Sequence, residues 1–135
     1  MKVADVMTRG IDLVDAAASV REAATLMAEF DVGAVFAGAD GKPSGVVTDR
    51  DLAIRLLAEG KSGDTAVGEI ASKDVVTVDP QQTLEEATRL MAEHQLRRLP
   101  VCEEDGKLVG ILAQADVAQS GQDTLTGETV QQISK

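Results

Sequence analysis

Thr48 and Asp51 stand three residues apart in the stretch Gly45-Val46-Val47-Thr48-Asp49-Arg50-Asp51, where a β-branched run gives way to a helical pattern. A hydroxyl followed three residues later by a carboxylate is the pairing that caps a helix start. The threonine oxygen takes an amide proton of the first turn, and the acid reaches back to the amide of the cap. The same groups suit a second task. A helix start offers free N–H groups and the positive end of the dipole to an anion. A threonine hydroxyl can donate to a phosphate oxygen, and an aspartate carboxylate can accept from both hydroxyls of a ribose. Gly45, lacking a side chain, would let the strand leading into the pair lie close to such a ligand. The pair alone leaves both readings open, a cap or the floor of a phosphate and ribose site.

Other chemistry finds little footing. His94 is the only histidine, with no serine or cysteine in a nucleophile pattern near it, and its spacing from Leu90 and Met91 assigns it to the core or rim of a helix face. Cys102 is the only cysteine, which fits a reducing compartment and reads as structural. Glu103-Glu104-Asp105 and Asp49-Arg50-Asp51 lack calcium-loop spacing, and no glycine-rich P-loop occurs. An enzyme is not expected. There is no tryptophan or tyrosine, and Phe30 and Phe36 fall on expected core positions, so stacking platforms for single-stranded nucleic acid are absent. The 13 basic and 23 acidic side chains give a net charge of −10, which repels nucleic acid and anionic membrane surfaces. No segment approaches the roughly 20 apolar residues of a membrane span, and the start of the chain lacks a signal-peptide pattern. The expected location is the cytoplasm. With 135 residues, 44% hydrophobic and 27% charged, the chain has the make-up of a globular protein.

The elements that must position Thr48 and Asp51 are written twice. Val3 aligns with Val67, Asp15 with Asp79, Ala23 with Ala87, and Leu26-Met27-Ala28-Glu29 with Leu90-Met91-Ala92-Glu93; after one extra residue, the block from Asp40 to Ala53 aligns with that from Asp105 to Ala118. Each copy starts with a short strand, Ile11 to Val14 or Val75 to Val78. A capping box follows, Ser19 with Glu22 or Thr83 with Glu86, then a helix with Val20, Ala23 and Met27, or Leu84, Ala87 and Met91, on its buried face. A hairpin comes next, Gly33 to Ala37 with Gly45 to Val47, or Leu99 to Cys102 with Leu108 to Leu112. The last element is a helix from near Thr48 to Gly60, carrying Leu52, Leu56 and Leu57, or from Ala113 to about Gly121. The predicted fold class is α+β, two β-α-β-β-α repeats packed with pseudo-twofold symmetry. The expected division is 1–60 for repeat one, 61–66 for a linker, 67–121 for repeat two and 122–135 for a tail with a short helix. One copy alone buries a marginal amount of apolar surface, so the two should pack together.

From about Val3 to Ala118 the chain resembles tandem cystathionine β-synthase (CBS) domains, the CBS pair or Bateman module. The resemblance rests on Asp5-Val6-Met7-Thr8-Arg9-Gly10, the Asp40 to Ala53 block, and His94-Gln95-Leu96-Arg97-Arg98-Leu99-Pro100-Val101. The layout is similar to small stand-alone bacterial CBS-pair proteins of the hypoxic response protein type. The resemblance implies an adenine nucleotide (AMP, ADP or ATP) or S-adenosylmethionine in a cleft between the copies, a homodimer, and an unknown regulated protein as partner. It requires no cofactor; magnesium would enter only through the phosphates of a bound nucleotide. It also implies that Arg98 reaches the phosphate of a nucleotide whose phosphate meets Thr48 and whose ribose meets Asp51, with Arg97 and Arg50 as helpers, and that the backbone of Val75 and Val76 reads the adenine edge. The second copy keeps Asp116 but has Ala113 in place of the hydroxyl, and would use Gly10, Ile11 and Asp12 from the first copy. Loss of one charge-assisted hydrogen bond costs about 1.5 to 3 kcal/mol, roughly ten- to a hundredfold in affinity, so unequal sites are expected. The alternative is a scaffold or interaction module that keeps the fold without useful nucleotide affinity.

Overall fold

The computed structural model describes residues 1–10, 13–73 and 75–120. Ile11, Asp12 and the tail from Gln122 to Lys135 lie outside the described residues, and with them the expected strand start and terminal helix.

Both long helices begin where their caps stand. Ser19 accepts from the Glu22 amide at 3.3 Å ahead of α1 (Val20–Phe30), and Thr83 accepts from the Glu86 amide at 3.1 Å ahead of a later helix, Leu84–His94. The carboxylate half of the box differs from expectation: Glu86 accepts from the Gln82 side chain and from the Thr83 hydroxyl, each at 3.2 Å. Those two bonds hold its carboxyl below the usual carboxylate range. The next amides, of Val20 and Leu84, donate instead to the carbonyls of Thr65 and Met1 at 2.8 and 3.0 Å. Segments remote in sequence have therefore taken over part of the capping.

In the first copy, β1 (Val14–Asp15) pairs in parallel with β2 (Ala34–Ala39), which pairs antiparallel with β3 (Lys42–Thr48). The turn residues Asp40 and Gly41 take left-handed φ values of 55° and 77°, the geometry that suits a tight hairpin. At the bulge after Ala37, a Cβ on Gly38 would stand 2.0 Å from the Lys42 carbonyl, so only glycine fits there. Beyond Thr48, α2 (Asp49–Asp51) widens into a π-helical segment, Leu52–Leu57, with Ala58 donating to Ala53 and Lys61 to Leu56. Leu56 is buried and Leu52 half-buried, while the wider turn leaves Leu57 72% exposed.

The second copy repeats this plan with a shorter outer strand. After α3 (Val67–Ile70) the expected strand Val75 to Val78 is reduced to one parallel bridge, Val78 with Val101, just before the turn that starts at Pro80. Then come α4 (Leu84–His94), the antiparallel pair β4 (Arg98–Cys102) and β5 (Leu108–Ala113), and α5 (Gln114–Gln119). His94 closes α4 as an exposed residue. Phe30 departs from expectation: the last residue of α1, beyond the buried stripe Val20, Ala23 and Met27, it is 66% exposed, and Phe36 is half-buried.

Two cores form, and each is closed by the leading segment of the other copy. Val14, Val20, Ala23, Met27, Ala37, Val47 and Leu56 pack with Val67, Ile70 and Ala71; Val78, Leu84, Ala87, Met91, Leu99, Val101, Leu112 and Val117 pack with Val3 and Met7. The compact units are accordingly Asp12–Val75 and Met1–Ile11 with Val76–Lys135, a different partition from the sequence copies. Between the two sequence copies, and inside the unit Asp12–Val75, Gly63 and Thr65 are tied to Arg21 and Val20 of the first helix, reinforced by an Arg21–Asp64 ion pair at 2.6 Å. Ile70 on such an arm is fully buried. An Ile70→Ala substitution is expected to lower the unfolding free energy by about 2 to 5 kcal/mol. Urea denaturation checks this, and a change within about 0.5 kcal/mol, the size of a surface effect, would show that the arm is not part of the core.

Candidate functional site

In the unit Asp12–Val75, Thr48 has extended backbone and its Oγ1 accepts from the Asp51 amide at 3.1 Å, while the Thr48 amide donates to Asp51 Oδ2 at 2.9 Å. The reciprocal cap is thus formed. It leaves chemistry over: an oxygen that accepts an amide proton still has its own proton to donate, and a carboxylate with one oxygen engaged keeps lone pairs on the other. Both side chains are half-buried, and Arg50 is exposed.

The strand before this cap is flanked by an arm. Ala71 and Ser72 follow α3 and lie against β3, with Val46 and Ser72 exchanging amide and carbonyl bonds of 2.9 and 2.8 Å. A Cβ on Gly45 would stand 3.0 Å from both Ala71 Cβ and the Ser72 carbonyl oxygen. On the side where a Gly45 side chain would project, the space is filled by the arm. Gly110 does the same in the other unit, where a Cβ would meet Met7 Sδ at 2.8 Å and the Thr8 carbonyl oxygen at 2.9 Å. There Thr8 and Ile111 exchange bonds of 2.8 and 2.9 Å.

The second helix start keeps half of the cap, the Ala113 amide donating to Asp116 Oδ2 at 3.1 Å. Thr8 does not replace the acceptor absent at Ala113; its Oγ1 donates toward the same Asp116 oxygen across 3.5 Å. Aligning Thr8 with Ser72 was possible from the repeat, but its approach to Asp116 depends on the arm crossing at Gly110. Arg97 gives its carbonyl to the Gln114 amide at 2.8 Å, matching the Gly33 carbonyl and Asp49 amide at 2.9 Å, and Arg98 pairs with Ala113 across the ladder. Among the described residues, no carboxylate forms an ion pair with Arg50, Arg97 or Arg98. Arg55 was missed from sequence, although it lies one turn beyond Asp51: its Nε is 3.7 Å from Asp51 Oδ1 and its Nη1 donates to the Ile70 carbonyl at 3.1 Å.

The structure brings Gly45, Thr48, Arg50 and Asp51 together in the unit that ends at Val75, and places Gly10, Val76, Arg97, Arg98 and Asp116 in the other. Val76 packs against the core of that unit, and Gly10 is exposed with φ of 79°. Ile11 lies outside the described residues. Among the described residues no three His, Cys, Asp or Glu side chains are grouped to hold a metal ion, and no helix is long and apolar enough to cross a membrane.

Comparison with known proteins gives a consistent picture. The CBS domain model matches residues 3–58 and again 67–122. CBS domain-containing protein YhcV of Bacillus subtilis is 42% identical over 116 residues, 86% of this chain and 82% of that protein. Hypoxic response protein 1 of Mycobacterium tuberculosis is 39% identical over 117 residues, covering 85% and 81%. Among solved structures, Hypoxic Response Protein I with two coordinated zinc ions is 37% identical with a TM-score of 0.79, covering 89% of this chain and 98% of that one. CBSX2 in complex with AMP is 32% identical with a TM-score of 0.75, covering 88% and 94%.

Cys102 is buried at the end of β4. Burial, with Asp105 adding a like-charge effect, pushes its thiol above the ordinary range. The thiolate is the reactive form, so reaction with a disulfide reagent at neutral pH is expected to be far slower than for free cysteine and to accelerate only as pH passes the ordinary thiol range. Stopped-flow kinetics between pH 7 and 10 check this; a rate already at its plateau near pH 7 would contradict it.

Proposed function

Since the chain belongs to the CBS domain family, we propose that it is a non-catalytic regulatory module that binds an adenine nucleotide and signals its presence to a protein partner. The observation that carries this reading is the state of the Thr48 and Asp51 pair: mutually capped, yet with a hydroxyl proton and a carboxylate oxygen still able to meet a phosphate and a ribose. The AMP complex of a similar CBS protein supports the ligand class. Arg98, half-buried and without an acidic partner among the described residues, is the cation we assign to the phosphate, helped by Arg97 and Arg50. Against a net charge of −10, nearby cations decide whether an anion is retained, since distant exposed charges are screened within about 8 to 10 Å. The backbone of Val75 and Val76 supplies amide and carbonyl groups for the adenine edge.

The second site uses Asp116 with Gly10 and Ile11. Its oxygen already accepts from the Ala113 amide and faces the Thr8 hydroxyl, so a ribose there competes with an internal contact. We assign it the weaker affinity. AMP, ADP, ATP and S-adenosylmethionine share the adenosine that these groups would hold, and magnesium would accompany ATP through its phosphates alone. The module acts in the cytoplasm as a homodimer, and ligand shifts its conformation only by the difference in affinity between two states.

A scaffold without nucleotide affinity is the second reading, favoured by the completed cap at Thr48 and by the arm that fills the space beside Gly45. Thermal unfolding with each of the four compounds separates the two. Ligand at a hundred times its dissociation constant stabilises the native state by about 2.7 kcal/mol, and no shift at millimolar ligand favours the scaffold. Thr48→Ala is expected to abolish the tighter event in calorimetry while costing about 1 kcal/mol of stability through the lost cap. Unchanged binding by that variant would remove the site assignment.

A further inference from the structure

Arg55 lies in the π-helical segment and touches two things at once. Its Nη1 donates to the Ile70 carbonyl at 3.1 Å, and its Nε lies 3.7 Å from Asp51 Oδ1. Ile70 ends α3, so its carbonyl has no partner within that helix, and a guanidinium there also meets the negative end of the helix. Asp51 Oδ2 is occupied by the Thr48 amide, which makes Oδ1 the oxygen open to a ribose and also the one facing Arg55. A planar guanidinium can hold a carbonyl and a carboxylate in fixed relation; an ammonium, a point charge, cannot.

We propose that Arg55 is a positioning residue that ties the Asp51 carboxylate to the arm at Ile70, so that a ribose held by Asp51 tightens Ala71 and Ser72. The inference rests on the nucleotide reading above and adds a path by which occupancy leaves the site. The path is short. From Ile70 the chain runs as Ala71 and Ser72 beside Val46 and Gly45, and passes into the other unit between Val75 and Val76. Aligning Asp51 with Asp116 puts Ser120 at the position of Arg55, and among the described residues Ser120 bonds only back to the Val117 carbonyl, at 2.6 Å. Asp116 meets its own arm through the Thr8 hydroxyl instead. The guanidinium link therefore belongs to the Thr48 side alone.

Hydrogen–deuterium exchange of the full chain, with and without saturating AMP, tests this together with calorimetry on Arg55→Met and Arg55→Lys. In the unsubstituted protein AMP is expected to slow exchange of the Ser72 amide, which is bonded to the Val46 carbonyl. Arg55→Met is expected to raise the AMP dissociation constant about two- to fivefold, the size of an exposed charge contact, and to abolish the slowing at Ser72. Arg55→Lys keeps the charge and is expected to restore affinity without restoring the slowing. Full slowing in Arg55→Met overturns the proposal even if its free arm exchanges faster, because Arg55 would then be a structural staple only. Normal AMP binding by the unsubstituted protein with no change at Ser72 overturns this inference and leaves the nucleotide reading standing. A flat titration of the unsubstituted protein overturns both.

Discussion

Two short apolar arms have to be covered, and the cores they enter have to be closed; almost every other feature follows from that mutual need. Val67 and Ile70 are fully buried among the first copy's helix and sheet, as Val3 is among the second's. The arms also bring backbone carbonyls to the amides of Val20 and Leu84, which a helix start would otherwise leave to solvent. Burial and hydrogen bonding therefore stabilise the same placement.

Gly45 and Gly110 show what that placement demands of the sheets. Each stands where an arm presses against a strand, at distances that leave no room for a Cβ. Three residues beyond each glycine the strand ends, and the third residue of the helix that follows is an aspartate that reaches back to the cap amide. The candidate carboxylates are held close to the arms as a consequence. A residue on the arm, Thr8 in one unit, or a side chain reaching to it, Arg55 in the other, can then contact the carboxylate directly.

Where the copies diverge, they do so in chemistry more than in backbone. Thr48 is matched by Ala113, Gly33 and Ala34 by Arg97 and Arg98, and Arg55 by Ser120, while the strands and first helices keep their lengths closely. Duplicated cores tolerate little change because close-packed interiors penalise altered volume. Groups at the helix starts face fewer neighbours and are freer to differ. The first copy carries the hydroxyl at its helix start, and the second carries two arginines where the first has Gly33 and Ala34.

Periodicity, caps and the internal repeat were enough to determine the helices Val20–Phe30 and Leu84–His94, the two hairpins, the turn at Asp40 and Gly41, and the Thr48 and Asp51 cap, since each depends on residues a few positions apart. The reason for Gly45, the approach of Thr8 to Asp116 and the link from Arg55 to Ile70 were decided only by tertiary structure, because they join segments that local pattern treats as separate. The exposure of Phe30 belongs there too: helical spacing puts it near Met27, but which turn of a helix is covered depends on what packs over it. The arms are the clearest instance. Each arm enters the core of the other sequence copy, a pairing between segments far apart in the chain that local pattern does not specify.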